Sequence, residues 1–390
     1  AIDKIVSSAT GGLVLDFTTD VMGNIIAASD TVGAATPTRK YLYDKLYRLT
    51  RVDDGSNAMQ EDYGYNKTGD RTLKQFAGQA AQVYTYLAGT HRLGSVDGVA
   101  RTYDDNGNTT DRGDGTPLVY DDRNRLAEVG AGLMNLYTYT GKGERVLNVR
   151  GSFGSGSTSQ RYAYDEGGTL LTARSYSSLD KPLTTTEYLY VDSVPVAQVT
   201  GSVVSYIEAD HLGTPRVAAN RSTNARQWAW SFFDSAFGEQ EGVVAPIGGT
   251  DVLLRYPGQL FDSETALHYN YFRNFDPGTS RYIESDPIGL RGGISTYSYA
   301  ANSPLRNVDR KGLMYEPPPG NDDDGGFRRM IAFRNCTTAC LIIKTAVYAA
   351  CMQLFMEALR SYDGWGECIG DADYQYSLCI GRCKFTCGVL

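Results

Sequence analysis

The chain has 390 residues, with 43 Gly, 28 Tyr, 42% hydrophobic and only 21% charged residues. Disordered chains combine few aromatics with high charge, so this composition excludes a disordered polymer. A formal charge of −8 and a pI near 5.1, with no Lys- or Arg-rich block, argue against a general nucleic-acid binder and suit solubility alone. The chain opens Ala1-Ile2-Asp3 with neither Met nor an apolar signal-type segment, which reads as a processed product, an excised piece or a fragment of something longer.

From residue 10 to 187 a short unit recurs: an aromatic residue, Asp or Asn, two variable residues, a turn residue such as Gly, then a short apolar stretch. It runs through Tyr43-Asp44, Tyr65-Asn66, Tyr103-Asp104, Tyr120-Asp121, Tyr139-Thr140 and Tyr164-Asp165. The Asp or Asn side chain can bond turn amides, and Gly admits the reversal, so each unit predicts a β-hairpin. Tyrosine is expected to pack its ring across the sheet and to leave its hydroxyl near water. One hairpin is marginal alone, but stacked hairpins share a core, so the array predicts a continuous spiralling antiparallel sheet.

The next segment carries Tyr206-Ile207-Glu208-Ala209-Asp210-His211-Leu212-Gly213-Thr214-Pro215-Arg216, Trp228-Ala229-Trp230, and Leu267-His268-Tyr269-Asn270-Tyr271-Phe272-Arg273. Phe275-Asp276-Pro277-Gly278 and Ser285-Asp286-Pro287-Ile288-Gly289-Leu290 follow. With the preceding repeats, these residues make the chain resemble the YD-repeat, or Rhs-repeat, family, specifically over residues 188 to 313. The resemblance implies a hollow β-shell, here partial or miniature, that encloses or carries a variable C-terminal domain. That domain is often a toxin used in bacterial competition, type VI secretion or insecticidal complexes. The fold class expected is therefore mainly β, a spiralling antiparallel shell with a small α-helical, cysteine-rich module at its end.

The resemblance also implies a reaction. In self-cleaving relatives two aspartates act as an aspartyl-protease-like pair and cut after the Leu of a second Asp-Pro-x-Gly-Leu motif. Here the second copy reads Asp309-Arg310-Lys311-Gly312-Leu313, with Arg in place of Pro. Carried over, Asp286 and Asp309 are the catalytic pair and Leu313-Met314 the scissile bond. Two adjacent carboxylates share a proton because their charges repel. The lost proline would have preset the backbone, and Arg310 or Lys311 is placed to pair with an aspartate and lower its pKa. The competing reading has both aspartates capping turns in the shell wall. His91, His211 and His268 stand apart from Cys or acidic ligand motifs, and His211 reads as a structural hydrogen-bonding residue.

After Leu313 the composition changes. Glu316-Pro317-Pro318-Pro319-Gly320 to Gly326 reads as a linker, and all seven cysteines follow it. The expected division is 1–187 repeat shell, 188–313 core, 314–326 linker and 327–390 an α-hairpin. The pairs Cys336–Cys383, Cys340–Cys379 and Cys351–Cys368 have residue numbers that add to one constant total, as antiparallel rods in fixed register require. Three disulfides, with Cys387 left over, would imply an oxidising, secreted or cell-surface destination. The alternatives are a structural zinc ion on Cys336, Cys340, Cys379 and Cys383, or free core cysteines.

Two functions follow. The apolar run from Thr337 to Met356, flanked by Arg328, Arg329 and Arg334, suits a membrane-active toxin released from the shell. Its partners would be a target membrane, an immunity protein and a secretion-system delivery protein. The other reading is a non-toxic structural or partner-binding module. Residues 314–390 contain no histidine and no nuclease, ADP-ribosyltransferase or deaminase motif, so an enzymatic effector is disfavoured, and nucleic acid is not an expected partner.

Overall fold

The computed structural model describes residues 3–130, 135–151, 157–239 and 250–316. All seven cysteines, the membrane-length apolar run and most of the linker lie outside these residues.

The described residues form strands joined almost wholly by tight turns. Ten strands, from Lys4–Val6 to Val99–Ala100, pair strictly in chain order. Thr102–Tyr103 and Thr109–Asp111 form a two-stranded step, and eleven more strands, Leu118–Tyr120 to Arg226–Ala229, again pair in chain order. Every one of these pairings is antiparallel, as the hairpin reading requires. The eleven-stranded sheet passes through residues 187–188 without a break, because Pro182–Val191 is one strand.

The repeat unit explains the turns. Asp44 accepts the amides of Leu46 and Arg48 on one carboxylate oxygen, at 2.9 and 3.1 Å. Asp121 and Asp165 do the same for the second and fourth residues after them, and Asn66 does it with its amide oxygen. The third residue is left-handed, at φ +90° for Gly107 and +86° for Gly168, where a Cβ is unfavourable. Tyr47 and Asn124 accept the same conformation at +60°. Asp20 and Asp210 build identical turns without a preceding tyrosine, so a search keyed on Tyr-Asp passes over Asp20.

The repeat tyrosines correct one expectation. Their hydroxyls do not reach water; they donate to backbone carbonyls one hairpin back. Tyr65 bonds Leu49 O at 2.9 Å, Tyr120 bonds Thr109 O at 2.9 Å, Tyr139 bonds Leu126 O at 2.7 Å and Tyr164 bonds Arg145 O at 2.8 Å. In each case the acceptor is the strand partner of the preceding repeat tyrosine, beside a register shift. A bulge interrupts the ladder and sharpens the twist, and the hydroxyl supplies a bond there. Burial raises the pKa of these phenols, so each keeps the proton it donates.

The first and last hairpins of this ribbon also meet. Thr10 forms an isolated parallel bridge with Ala225, through Thr10 N to Asn224 O at 2.8 Å and Arg226 N to Thr10 O at 3.1 Å. The Glu208 carboxylate accepts the Leu13 amide at 2.6 Å and the Ser7 hydroxyl. Residues 228–239 and 250–309 pack the inner face. Trp228, Trp230, Tyr256 and Phe275 join the alternate residues Tyr162, Leu170 and Tyr188 of the ribbon, while Phe232, Phe237 and Leu305 meet Leu15, Phe17 and Leu49. A four-stranded sheet, Leu260–Asp262, Leu267–Asn270, Arg273–Asp276 and Arg281–Tyr282, lies in this inner segment and carries the candidate site.

Candidate functional site

Arg273 opens a strand whose four residues are all buried, just after the tight reversal from Asn270. A guanidinium in that position must find acceptors, because its charge cannot be removed. Its Nη2 lies 3.0 Å from Asp286 Oδ2 and 3.3 Å from Asp309 Oδ2, so the two aspartates singled out by the motif converge on one nitrogen. Nη1 donates to Thr296 O at 3.0 Å, Nε donates to Gly312 O, and the guanidinium carbon stands 3.7 Å from the Tyr282 ring centre.

The cation beside the pair is therefore Arg273, not Arg310 or Lys311. Arg310 reaches outward to Glu316, with Nε 3.5 Å from Oε2, and Lys311 lies over the Tyr271 ring. The physical reason is the turn itself. Asp309-Arg310-Lys311-Gly312-Leu313 is a bend in which Asp309 takes the amide of the fourth residue on but not of the second, while Arg310 and Lys311 find partners away from the carboxylate. Gly312 takes its left-handed position at φ +66°, so the turn closes without the proline.

Asp309 is held from several sides. Its Oδ1 accepts the Leu313 amide at 2.9 Å, and its Oδ2 accepts the Tyr282 hydroxyl at 2.9 Å. Asn270 Nδ2 donates to Asp309 O at 2.8 Å and to the Tyr282 hydroxyl at 2.7 Å. Phe272 N donates to Lys311 O at 3.2 Å, and Val308 pairs with Glu316 through both backbone bonds. The segment leading to the Leu313-Met314 bond is thus gripped at the carbonyls of Asp309, Lys311 and Gly312, and Met314 is exposed.

Asp286 caps its own turn, accepting the Ile288 amide at 3.0 Å. So both aspartates cap turns, as the structural reading expects, and both also meet at Arg273. Burial pushes the Asp286 carboxyl above its ordinary range; Arg273 and the Ile288 amide oppose this, and the nearby Asp309 charge adds to it. Sequence reasoning missed Arg273, Tyr282, Asn270 and Thr296. The only signal for Arg273 and Asn270 was their place within the quoted motif segments.

Two further buried carboxyls sit in the same inner face. Burial raises Glu284 to about 7 against its bonds from Asn274 N and Nδ2, and raises Glu61 to about 7 against bonds from Tyr63 and Ala236. Their folded pKa values exceed the unfolded ones, so the unfolded chain ionises first and stability falls as pH rises from about 4.5 to about 7. The melting temperature is expected to be higher at pH 5 than at pH 8. Glu284→Gln should flatten part of that slope in a pH series of thermal melts.

The histidines serve packing. His211 Nε2 lies 2.8 Å from Leu305 O, a structural bond as expected, and His268 Nδ1 lies 2.8 Å from Gln259 Oε1 among Trp230, Phe261 and Phe275. Burial lowers both pKa values and keeps both rings neutral. His91, which reads as isolated in the sequence, pairs with buried Asp70 at 2.8 Å. Among the described residues no cluster of His, Cys, Asp or Glu could hold a metal ion. The zinc and disulfide readings of Cys336, Cys340, Cys351, Cys368, Cys379 and Cys383 concern residues outside them.

No family model matches the chain. It is 40% identical over 114 residues to the double-stranded DNA deaminase toxin A of Burkholderia cenocepacia (strain H111), covering 28% of this chain and 8% of that protein. It is 27% identical over 308 residues to the probable deoxyribonuclease RhsB of Dickeya dadantii (strain 3937), covering 71% of this chain and 21% of the relative. The chain therefore spans at most about a fifth of the length of either of these relatives. Its fold is similar to a chain in the Photorhabdus luminescens Tc holotoxin pore, with a TM-score of 0.64 and 20% identity over 80% of this chain and 17% of that one. Repeat turns and consecutive antiparallel strands agree with these similarities: over part of their length the chain is similar to Rhs-type toxin proteins, and it shares its fold with the Tc-toxin chain.

Proposed function

We propose that this chain cuts itself between Leu313 and Met314 and releases residues 314–390 as an effector. The observation that carries the reading is the convergence of Asp286 and Asp309 on Arg273 while Asp309 also holds the Leu313 amide. Cleavage needs one carboxyl that keeps a proton and one carboxylate that takes one. Asp286, raised by burial, suits the first role and polarises the Leu313 carbonyl, whose oxygen borders the same space. Asp309, beside Arg273, suits the second. Water adds to the Leu313 carbonyl carbon and gives a proton to the carboxylate. The carbonyl oxygen takes the Asp286 proton; the bond to the Met314 nitrogen then breaks as that nitrogen takes the proton held by Asp309, and the diol returns a proton to Asp286 as the Leu313 carboxyl forms.

The released piece carries the linker and a cysteine-rich α-hairpin over 327–390, with the three disulfides or the zinc site as its staple. Its apolar run from Thr337 to Met356 suits insertion into a target membrane. A secretion-system delivery protein and an immunity protein are the partners such an effector implies. The named activities of the relatives, DNA deamination and DNA cleavage, find no motif in residues 314–390.

The test is the intact mass of the purified chain, unreduced and denatured, with N-terminal sequencing of any fragment. A fragment beginning at Met314, lighter by six hydrogens than its reduced form, supports release of a three-disulfide module. Growth arrest on expression of residues 314–390, with dye leakage from liposomes, supports membrane action. A single full-length mass removes self-cleavage and leaves a fixed structural or partner-binding module.

A further inference from the structure

The carbonyl of Leu313 and the carboxyl of Asp286 come together at a residue that has no side chain. A Cβ built on Gly292 would lie 2.2 Å from Asp286 Oδ2 and 2.4 Å from Leu313 O, far inside van der Waals contact with both. Each oxygen is tethered to other groups, so a Cβ there must displace one from the other. The Asp286 carboxylate is fixed by Arg273 and the Ile288 amide, and the Leu313 backbone is fixed by Asp309. The glycine is not there for its backbone. Gly292 sits at φ −80°, ψ −13°, a right-handed conformation that alanine adopts without strain. It follows the short 3₁₀ turn Gly289–Arg291 and is half-buried, between exposed Leu290 and Ile294, so the space it leaves borders solvent.

We propose that Gly292 is a positioning residue for self-cleavage: its missing side chain lets the Asp286 carboxyl face the Leu313 carbonyl directly, at the edge where water arrives. The inference rests on the self-cleavage reading. Any side chain at 292 wedges the carboxyl and the carbonyl apart, or strips water from the carboxyl, while leaving both aspartates and Arg273 in the chain. Intramolecular reactions are steep functions of such placement.

The full chain is made by cell-free synthesis and followed by mass over time, as wild type, Gly292→Ala and Gly141→Ala. Gly141 meets nothing within 4 Å of a built Cβ and has no left-handed backbone, so it controls for the substitution itself. Gly292→Ala is expected to slow the appearance of the Met314 fragment at least 100-fold, or to abolish it, with a melting temperature within a few degrees of wild type. Where residual cleavage is measurable, its pH limb should move upward, because the added methyl further dehydrates Asp286. A merely structural role would move the melting temperature and leave the pH profile in place. Cleavage of Gly292→Ala at the wild-type rate, or a loss explained by unfolding, overturns the assignment while self-cleavage stands. An uncut wild type removes the self-cleavage reading, and this inference with it.

Discussion

Asp309→Asn is expected to leave the chain whole, with the Met314 fragment slowed by about 10³-fold or more, within the range that a positioned proton-transfer group contributes. The substitution separates the two roles that Asp309 fills. As a turn cap it is replaceable by asparagine, because Asn66 already caps an equivalent turn through its amide oxygen, with Thr68 N and Asp70 N as donors. As a base it is not replaceable, because an amide oxygen takes no proton from water at ordinary pH. The variant should therefore keep the turn cap and fold, less stable for the loss of one carboxylate beside Arg273, and still fail to cut. Asp286→Asn should fail as well, since a carboxamide cannot give the Leu313 carbonyl the proton that buried Asp286 is placed to hold. Continued release of the fragment in both variants would return the pair to the role of turn caps alone.

Arg273→Leu carries the second large effect. The guanidinium compensates two buried carboxyls at once and covers the face of Tyr282. Removing one member of such a buried set costs about 3–5 kcal/mol, because the remaining charges stay away from water without a partner. The signature is the pH dependence. Without the cation, Asp286 rises further, so the folded chain holds a proton that the unfolded chain has released. The loss should be larger at pH 7.5 than at pH 5, read as the shift in urea midpoint at the two pH values. An equal loss at both would assign the contribution of Arg273 to its packing on Tyr282 rather than to its charge. Arg273→Lys should recover part of the stability. It should not recover the bonds to Thr296 O and Gly312 O together with both carboxylates, since an ammonium lacks the planar fork.

The local chemistry of this protein was legible in its residues. An Asp or Asn followed three places later by Gly, Asn or a tolerant Tyr closes a turn entirely among five residues. Asp44, Asn66, Asp121 and Asp165 therefore predict their hairpins, and hairpins in series predict strands pairing in chain order. Asp286 and Asp309 were picked out differently, by the resemblance of their segments to the self-cleaving family motif. What joins the hairpins was not legible. The tyrosine hydroxyls bond carbonyls 10 to 19 residues back, at positions set by bulges in the strand register, which composition does not encode. The Thr10–Ala225 bridge depends on the accumulated twist of the whole ribbon. Arg273 reaches Asp309 across 36 residues, and did so in place of Arg310 and Lys311, which adjoin the aspartate in sequence but point away from it on the turn. By itself the sequence determined the turns and the order of the strands, because each is settled by bonds within a few residues, while the two candidate carboxyls were named by the motif's resemblance. The tertiary structure alone decided which cation meets the carboxyls, which hydroxyls are buried and where a glycine keeps space open, because burial strips water from charged groups and leaves them only the partners that packing brings within reach.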